Sequence, residues 1–259
     1  MINKSSLVDT NAKIGKNVSI GPFSIIGKNV KIGNNVNIMN NVIIDGITDI
    51  DDDVTIFPFT SIGLIPQDLK YKGEKSKLYI GNNCKIRENV TINTGTQGGG
   101  LITKIGKNCL LMVGTHIAHD CDVGNNIIFA NNATLAGHVS IGDDTIIGGL
   151  SAVHQFVRIG EGVIVGGMSG VTSDVIPYGS VIGNRAKLNG LNLIGLKRKK
   201  IDKLEINALR KLYRRIFEEK EMNFKDRIDN LDHELMNFVL CKKIINFLKD
   251  SNGRSICHP

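Results

Sequence analysis

Residues 14–38 read IGKNVSIGPFSIIGKNVKIGNNVNI, and an isoleucine returns at every sixth position of this stretch. The same step places an apolar residue at 25 positions between Val8 and Val171, in a chain of 259 residues that is only 41% hydrophobic. The series pauses twice, after Ile62 and after Ile92, and then resumes. A period this regular predicts a repeat architecture in which every repeat buries the same face.

Glycine and asparagine mark the same period. Twelve of the 25 apolar positions are followed directly by Gly, and Asn often stands three places on, as at Asn17 and Asn35. Both residue types tolerate left-handed backbone angles, so each hexad predicts a short strand followed by a sharp corner. Three hexads close a triangle, and an 18-residue coil stacked by parallel pairing rises ~4.8 Å. Residues 1–185 are therefore predicted to form a parallel β-helix prism.

The hexads stop before residue 186, and residues 186–259 show a helical period instead. Asp202 and Glu205 have the spacing of a capping box at a helix start. Two further amphipathic segments are predicted at 224–235 and 239–248. The apolar stripe of the first helix is Ile201, Leu204, Leu209, Leu212 and Ile216. The sequence thus predicts a mainly β domain, 1–185, followed by a helical domain, 186–259.

Charge divides the chain at the same place. Residues 1–185 hold 15 Lys and Arg against 15 Asp and Glu, whereas residues 186–259 hold 17 against 10. The net charge of +7 therefore lies in residues 186–259, here called the tail, and predicts an acidic partner. Nucleic acid is disfavoured, because Trp is absent and Tyr213 is the only tyrosine of the tail.

The cysteines and the N-terminus indicate a compartment. Cys84, Cys109 and Cys121 fall on the inward series of small residues, and the five cysteines show no pairing pattern. The N-terminus has no apolar signal region, and no run of the chain is as long as a membrane span. We therefore expect a cytoplasmic protein without stable membrane insertion.

Two insertions and a group of histidines indicate the site. Residues 63–79 and 95–103 break the hexads and are predicted to be loops that project from the prism. Ile117, Leu135 and Val153 are hexad residues 18 positions apart, and four histidines lie beside them: His116 and His119 flank Ile117, His138 follows Leu135 by three, and His154 follows Val153 by one. These histidines are therefore expected near one edge of successive coils.

Such a group of histidines fits two kinds of chemistry. Three imidazoles and a water can bind catalytic zinc, as in carbonic anhydrases built on β-helices. Alternatively, one neutral imidazole can act as a general base, and Asp120 beside His119 favours this reading because a carboxylate fixes the imidazole tautomer. Metal analysis would separate the two. A non-catalytic trimeric scaffold is a third possibility.

Five segments together resemble the UDP-N-acetylglucosamine O-acyltransferases of lipid A biosynthesis, a hexapeptide-repeat family. The resemblance covers essentially the whole chain and implies a left-handed parallel β-helix. The segments are QDLKY at 67–71, HIAHDC at 116–121, NNATLAGHV at 131–139, AVHQF at 152–156 and GLNLIGLKR at 190–198.

The resemblance also implies a role for particular residues. His119 would be the general base, Asp120 its orienting partner, and the Gly137 N–H the donor to the oxyanion. Gly167 and Met168 are candidates for ending the acyl-chain groove. The residues implied to bind the nucleotide sugar are Asp68, Lys70, His116, His138, His154, Gln155, Asn192 and Arg198.

The family resemblance further implies a homotrimer, acyl-[acyl carrier protein] as donor, UDP-N-acetylglucosamine as acceptor, and no metal or other cofactor. An N-acyltransferase acting on a 3-amino sugar nucleotide is the nearest alternative, because a histidine base suits a hydroxyl and an amine alike. The chain departs from the family pattern at Thr94, Arg185 and Ile194, all implied to lie on the nucleotide side rather than at the base.

Overall fold

Three parallel sheets form the sides of a triangular prism in the computed structural model, which describes residues 1–219, 221–250 and 253–259. Sheet 1 consists of Leu7–Val8, Ile25–Ile26, Ile43–Ile44, Ser61–Leu64, Thr91–Asn93, His116–Ile117, Thr134–Leu135, Ala152–Val153 and Gly170–Val171. Sheet 2 consists of Lys13–Ile14, Val30–Ile32, Ile47–Ile50, Lys77–Ile80, Ile102–Ile105, Asp122–Val123, Ser140–Ile141 and Arg158–Ile159. Sheet 3 consists of Ser19–Ile20, Asn37–Ile38, Thr55–Ile56, Lys85–Ile86, Leu110–Leu111, Ile128–Phe129, Ile146–Ile147, Ile164–Val165, Gly179–Ile182 and Lys187–Leu191.

The hexad residues form the core of the prism. Strands pair in register with the strand one coil further along, as Leu135 pairs with Val153 and Val153 with Val171. Every hexad residue is buried except Val8 and Ile14, which are half-buried in the first coil. This confirms the predicted parallel β-helix, because each coil covers the apolar face of the coil before it.

The asparagines of the hexads lie at corners of the prism where the backbone is left-handed. Asn17, Asn35 and Asp53 stand one above the other with positive φ angles of 57°, 57° and 61°. The Asn17 amide donates to Asn35 Oδ1 and the Asn35 amide to Asp53 Oδ1, both at 3.1 Å. Polar corner side chains therefore link consecutive coils, and Asp53 accepts the last hydrogen bond of this series.

Both predicted loops leave the prism, within somewhat narrower bounds than the sequence pattern gave. Residues 65–76 lie outside the sheets, because strand Ser61–Leu64 extends two residues past Ile62 and the next strand begins at Lys77. The second loop contains a short 3₁₀ helix, Gln97–Gly99, and ends where strand Ile102–Ile105 begins.

The tail begins with a strand that the hexads do not predict. Lys187–Leu191 turns back and pairs antiparallel with Gly179–Ile182, closing sheet 3. Helices follow at Leu193–Arg198 (α1), Lys203–Phe217 (α2), Phe224–Asp229 (α3) and Val239–Lys249 (α4), with a 3₁₀ helix at His233–Asn237.

The predicted capping box is confirmed for Asp202 and wrong for Glu205. Asp202 does cap α2, since its side chain accepts from the Leu204 N–H at 2.6 Å. Glu205, however, accepts from the Val239 and Leu240 N–H groups at 3.0 and 3.1 Å and so caps α4. The predicted apolar stripe is also wrong at Leu204, which is exposed because it lies on the solvent side of α2.

All five cysteines are buried and unpaired, and Cys84, Cys109 and Cys121 occupy the inward series as predicted. Burial raises the pKa of the Cys121 thiol to about 12, so this sulfur stays protonated and packs as an apolar group. Within the described residues, the helices are too short or too polar to cross a membrane.

Candidate active site

A histidine and an aspartate share one corner of the prism. The chain turns after strand His116–Ile117, and Asp120 takes the left-handed corner position with φ 58°. His119 Nδ1 lies 2.8 Å from Asp120 Oδ2. A carboxylate oxygen can only accept, so Nδ1 carries the hydrogen and Nε2 keeps a free lone pair. The pair therefore has the geometry of a general base with an orienting carboxylate.

The second loop encloses the Asp120 carboxylate, whose side chain is fully buried. The Thr96 N–H donates to Oδ1 at 2.8 Å and the Thr96 hydroxyl donates to Oδ2 at 2.5 Å. A Cβ at Gly99 would stand 2.1 Å from the Asp120 Cγ, and one at Gly95 would stand 2.7 Å from Oδ1. The glycines of GTQGGG thus let the loop approach the carboxylate, and Thr96 is a site residue that the sequence reasoning missed.

Gly137 lies directly against the imidazole of His119. A Cβ at this position would stand 2.4 Å from His119 Cε1 and 2.6 Å from Nε2. Among the described residues, the Gly137 N–H has no hydrogen-bond partner. A backbone donor that is free and adjacent to the basic nitrogen is the geometry that an oxyanion site requires.

His138 packs on the other side of this pair. Its ring meets the His119 ring edge to face, with 5.0 Å between centroids, and stacks on Phe156 at 4.3 Å. Burial, more than the nearby charges, lowers the pKa of His138, so the neutral ring is favoured. Phe156, on the next coil, is a second residue whose role the sequence did not reveal.

His116 points outward from sheet 1 beside the pair. Its Nδ1 lies 2.7 Å from the Thr91 hydroxyl, which fixes the ring. Burial and, to a smaller extent, the charge of His119 lower the pKa of His116. Because the neutral form of His116 is favoured, His119 can take up a proton without a second positive charge beside it.

An open cavity of about 770 Å³ lies between the two loops and His138. Asp68 and Lys70 of the first loop line it, together with Gln97 of the second. Glu74 holds the loops together, since one of its oxygens accepts from the Lys72 N–H at 2.8 Å and the other from the Gln97 N–H at 3.1 Å. These bonds lower the pKa of Glu74, chiefly through the Lys72 amide, and keep its carboxylate charged.

The remaining residues that were predicted to bind the nucleotide sugar lie further along the axis of the prism. His154 and Gln155 are exposed on the coil after His138, and His154 directly follows Val153, which pairs with Leu135 in sheet 1. The Asn192 side chain caps α1, accepting from the Gly195 N–H at 2.9 Å and donating to the Gly162 carbonyl at 2.9 Å. Arg198 is exposed at the end of α1.

Gly167 and Met168 lie on a different edge of the prism from the pair. They occupy the corner between sheets 3 and 1, whereas His119 and Asp120 occupy the corner between sheets 1 and 2. Met168 is 73% exposed. Within one chain, therefore, the width of sheet 1 separates these two residues from the basic nitrogen.

His119, Asp120 and His138 form one cluster that could hold a metal ion, with one ligand atom from each within 4.8 Å of the others. His119 Nδ1 and Asp120 Oδ2 are already hydrogen-bonded to each other at 2.8 Å. A metal bound through these two atoms would have to displace the hydrogen bond that orients the imidazole.

Family models match both parts of the chain. Residues 11–46 and 102–137 match bacterial transferase hexapeptide repeats, and residues 174–257 match the second domain of UDP N-acetylglucosamine O-acyltransferase. An acyl-[acyl-carrier-protein]–UDP-N-acetylglucosamine O-acyltransferase of Rickettsia bellii is 51% identical over 257 residues, covering 99% of this chain and 91% of its own. One from Thermodesulfovibrio yellowstonii is 48% identical, covering 99% and 98%.

Solved structures agree with the curated relatives. The UDP-N-acetylglucosamine acyltransferase of Campylobacter jejuni superposes with a TM-score of 0.93 at 41% identity, covering all of both chains. The Arabidopsis enzyme of the same description superposes at 0.89 with 37% identity, covering 99% of this chain and 100% of its own. The likeness, with the hexapeptide repeats, confirms the predicted left-handed β-helix with a C-terminal helical part.

Proposed function

The chain belongs to the UDP-N-acetylglucosamine O-acyltransferase family, and from that premise we propose that His119 and Asp120 are its catalytic pair. The reaction is the transfer of an acyl group from acyl-[acyl carrier protein] to the 3-hydroxyl of UDP-N-acetylglucosamine, in lipid A biosynthesis. The observation that carries the assignment of residues is the buried Asp120 bonded to His119, with Gly137 packed against the imidazole.

In the proposed mechanism, His119 Nε2 takes the proton of the 3-hydroxyl as the oxygen attacks the thioester carbonyl. The Gly137 N–H donates to the oxyanion that forms on that carbonyl. When the intermediate collapses, the C–S bond breaks and the imidazolium returns its proton to the departing thiolate. Asp120 holds the tautomer and stabilises the imidazolium, and Thr96 holds Asp120.

The acceptor is proposed to occupy the cavity between the loops. Asp68 and Lys70 are free to bind the sugar and phosphate region, since their side chains face this open space. His138 is half-buried and favoured neutral, which suits it to hydrogen bonding with a sugar hydroxyl. The other residues proposed to contact the nucleotide sugar are His116, His154, Gln155, Asn192 and Arg198.

The function is tested by mixing the purified chain, made without a His-tag and treated with EDTA, with 3-hydroxyacyl carrier protein and UDP-N-acetylglucosamine. We expect the 3-O-ester by NMR, turnover unchanged by the chelator, and no stoichiometric zinc. Loss of turnover that zinc restores would instead assign the cluster of His119, Asp120 and His138 to metal catalysis.

A homotrimer is proposed because one side of the prism is apolar and exposed. The outward residues of sheet 1 and the corner beside it include several large apolar side chains open to solvent. They are Leu7, Phe23, Ile25, Ile43, Phe59, Leu150 and Met168. A stripe of this length is typical of an interface between subunits. A solution mass other than about three times the 28.2 kDa chain would contradict the trimer.

A trimer would also allow Gly167 and Met168 to line the acyl-chain groove near a catalytic base. These residues lie on one edge of sheet 1 and His119 on the other, so packing around a three-fold axis could bring one subunit's Met168 edge to its neighbour's base. We propose that the acyl chain lies in this groove between subunits, where Gly167 leaves room and Met168 limits it.

The basic tail is proposed to dock the acidic carrier protein. Several of its cations are already paired, since Lys199 bonds Asp144 at 2.5 Å and Lys211 bonds Asp232 at 2.7 Å. Arg210 and Arg214, one turn apart on α2, are exposed, and no described acidic residue pairs with either. These two guanidinium groups are therefore the best candidates for contact with the carrier.

Reversing both charges, with Arg210→Glu and Arg214→Glu, should raise the KM for acyl carrier protein about tenfold and reduce its salt dependence. The reason is that complementary charges steer association, and the effect weakens with salt. The KM for UDP-N-acetylglucosamine should stay the same. Steady-state kinetics at several salt concentrations measure all three quantities.

The matched control carries the same change in net charge at the opposite end of the column, with Lys13→Glu and Lys16→Glu in the first coil. Both lysines are exposed. If this control raises the carrier KM as much as the tail variant does, or if the tail variant leaves that KM unchanged, the tail is not the docking surface.

We also propose that the protein works in the cytoplasm. The five buried, unpaired cysteines support this, because a reducing compartment keeps thiols in that state.

A further inference from the structure

The end of the chain returns to the last coils of the prism. Residues 253–258, here called the C-terminal strap, pair with the backbone around Asp174. The Asp174 N–H donates to the Ser255 carbonyl at 2.9 Å, and the Cys257 N–H donates to the Asp174 carbonyl at 2.7 Å. The Leu188 N–H donates to the His258 carbonyl at 2.9 Å. The strap is thus fixed by backbone bonds that do not depend on its side chains.

A buried carboxylate strengthens this attachment. The Asp174 side chain is fully buried and accepts from the Arg158 N–H at 2.9 Å and from Arg158 Nε at 2.7 Å. The guanidinium of Arg158 lies over the Phe247 ring of α4, 4.4 Å from its centroid. The helical tail, the last coils and the strap therefore form one packed unit, and the strap holds a defined position.

This position places Arg254 beside His154. Arg254 Nη2 lies 2.8 Å from His154 Nδ1 and donates to the Thr172 carbonyl at 3.0 Å. A guanidinium has no acceptor and stays charged in proteins, so it must donate to Nδ1. Nδ1 is then the acceptor nitrogen, and the hydrogen of the neutral His154 ring lies on Nε2. The Gln155 carbonyl lies 3.1 Å from the same Nδ1 and would favour the opposite tautomer, so the two contacts compete. We expect the charged donor to prevail, because charge-assisted hydrogen bonds are the stronger ones.

His154 is close to the reacting residues along the column. It directly follows Val153, which pairs with Leu135 of the preceding coil, and Gly137 and His138 stand just after Leu135. Its ring is exposed, so a hydrogen on Nε2 is available to a bound molecule. The strap thus places a cationic donor against one nitrogen of a histidine that lies 100 residues earlier in the sequence.

We propose that Arg254 is a positioning residue that holds His154 as the Nε2–H tautomer, so that His154 donates a hydrogen bond to an oxygen of the bound nucleotide sugar. The inference rests on the proposed function for the identity of the acceptor, but the tautomer itself does not depend on turnover. The oxygens of a sugar nucleotide are acceptors, and the diphosphate is anionic, so an N–H beside a cation suits them.

The first measurement is the tautomer of His154 in the ligand-free protein, read from its imidazole ¹⁵N and ¹H–¹⁵N correlations and assigned with His154→Gln. We expect the Nε2–H form in the wild type and a mixture in Arg254→Ala. Arg254→Lys keeps a group that can only donate and should restore part of the Nε2–H population. Ser255→Ala is the matched control, because it removes only the 3.0 Å contact with Ser173 on the same strap.

The second measurement is steady-state kinetics with both substrates. Arg254→Ala should raise the KM for UDP-N-acetylglucosamine about tenfold, the scale of one charge-assisted hydrogen bond, and change kcat by less than about threefold. Arg254→Lys should recover part of that KM, and Ser255→Ala should match the wild type. In a His154→Ala background, Arg254→Ala should have no further effect, since it acts through His154.

An unchanged tautomer in Arg254→Ala overturns the proposal whatever the kinetics show. An equal rise in KM in Ser255→Ala or in the His154→Ala background also overturns it, because the strap would then act through general docking. If the wild type transfers no acyl group at all, the proposed function fails, while the NMR result still decides whether Arg254 positions His154.

Discussion

Gly137→Ala is expected to lower kcat by about 10²-fold or more while the prism stays folded. The added methyl would stand 2.4 Å from His119 Cε1 and 2.6 Å from Nε2, closer than any real carbon contact, so the imidazole must move. A displacement of about 1 Å at a reacting group costs on the order of 10²-fold, and loss of a positioned base costs ~10²–10⁴-fold. Alanine keeps the backbone N–H of residue 137, so a loss of kcat would come from displacement of the His119 imidazole.

The control is the double variant His119→Ala with Gly137→Ala. Without the imidazole the methyl has space, so the double variant should be no slower than His119→Ala alone. Circular dichroism and thermal melting should show a folded prism for each variant. A wild-type kcat in Gly137→Ala, or a double variant much slower than His119→Ala, would show that Gly137 does not act through this ring.

The prism could be predicted from the sequence because one short-range rule repeats in every coil. An apolar residue at each sixth position fills the core, and Asn or Gly at the corner supplies the left-handed backbone, as at Asn17 and Asn35. No long-range contact is needed to predict this pattern. The left hand of the helix has no such local signal and came from the family resemblance.

The corner that holds His119 and Asp120, the proposed catalytic pair, could be predicted only in part. His119 and Asp120 are adjacent in the sequence, so their contact follows from a carboxylate next to an imidazole. Thr96 lies 24 residues before Asp120, in a loop outside the period, and nothing local shows that its N–H and hydroxyl meet that carboxylate. The three glycines at 98–100 were the only signal, since a run of glycine indicates mobility or a close approach.

The tail was predicted least well, because its residues bond to partners that are distant in sequence. Glu205 has the spacing of a capping box, yet it caps α4, which begins 34 residues later. Arg254 lies 100 residues from His154, and no sequence pattern joins them.

Gly167 was expected to lie further along the same groove as the base. The number of coils between Gly167 and His119 can be counted from the sequence, but that count does not show that the two residues occupy different edges of the prism.

His119 is the residue that we propose as the base for acyl transfer. Its Nδ1 is held by Asp120, its side chain is only 13% exposed, and the His116 and His138 rings beside it have lowered pKa values. These features leave Nε2 of His119 as a basic atom beside Gly137, 2.6 Å from the place that a Cβ of that residue would occupy.

The most direct test is the turnover of His119→Ala with saturating acyl carrier protein donor and UDP-N-acetylglucosamine, measured beside His233→Ala, which removes an exposed histidine of the tail outside the cleft. We expect a kcat lowered ~10²–10⁴-fold for His119→Ala, the range for a general base, and an unchanged kcat for His233→Ala. Folded His119→Ala protein with a kcat near the wild-type value would contradict the assignment of His119 as the base.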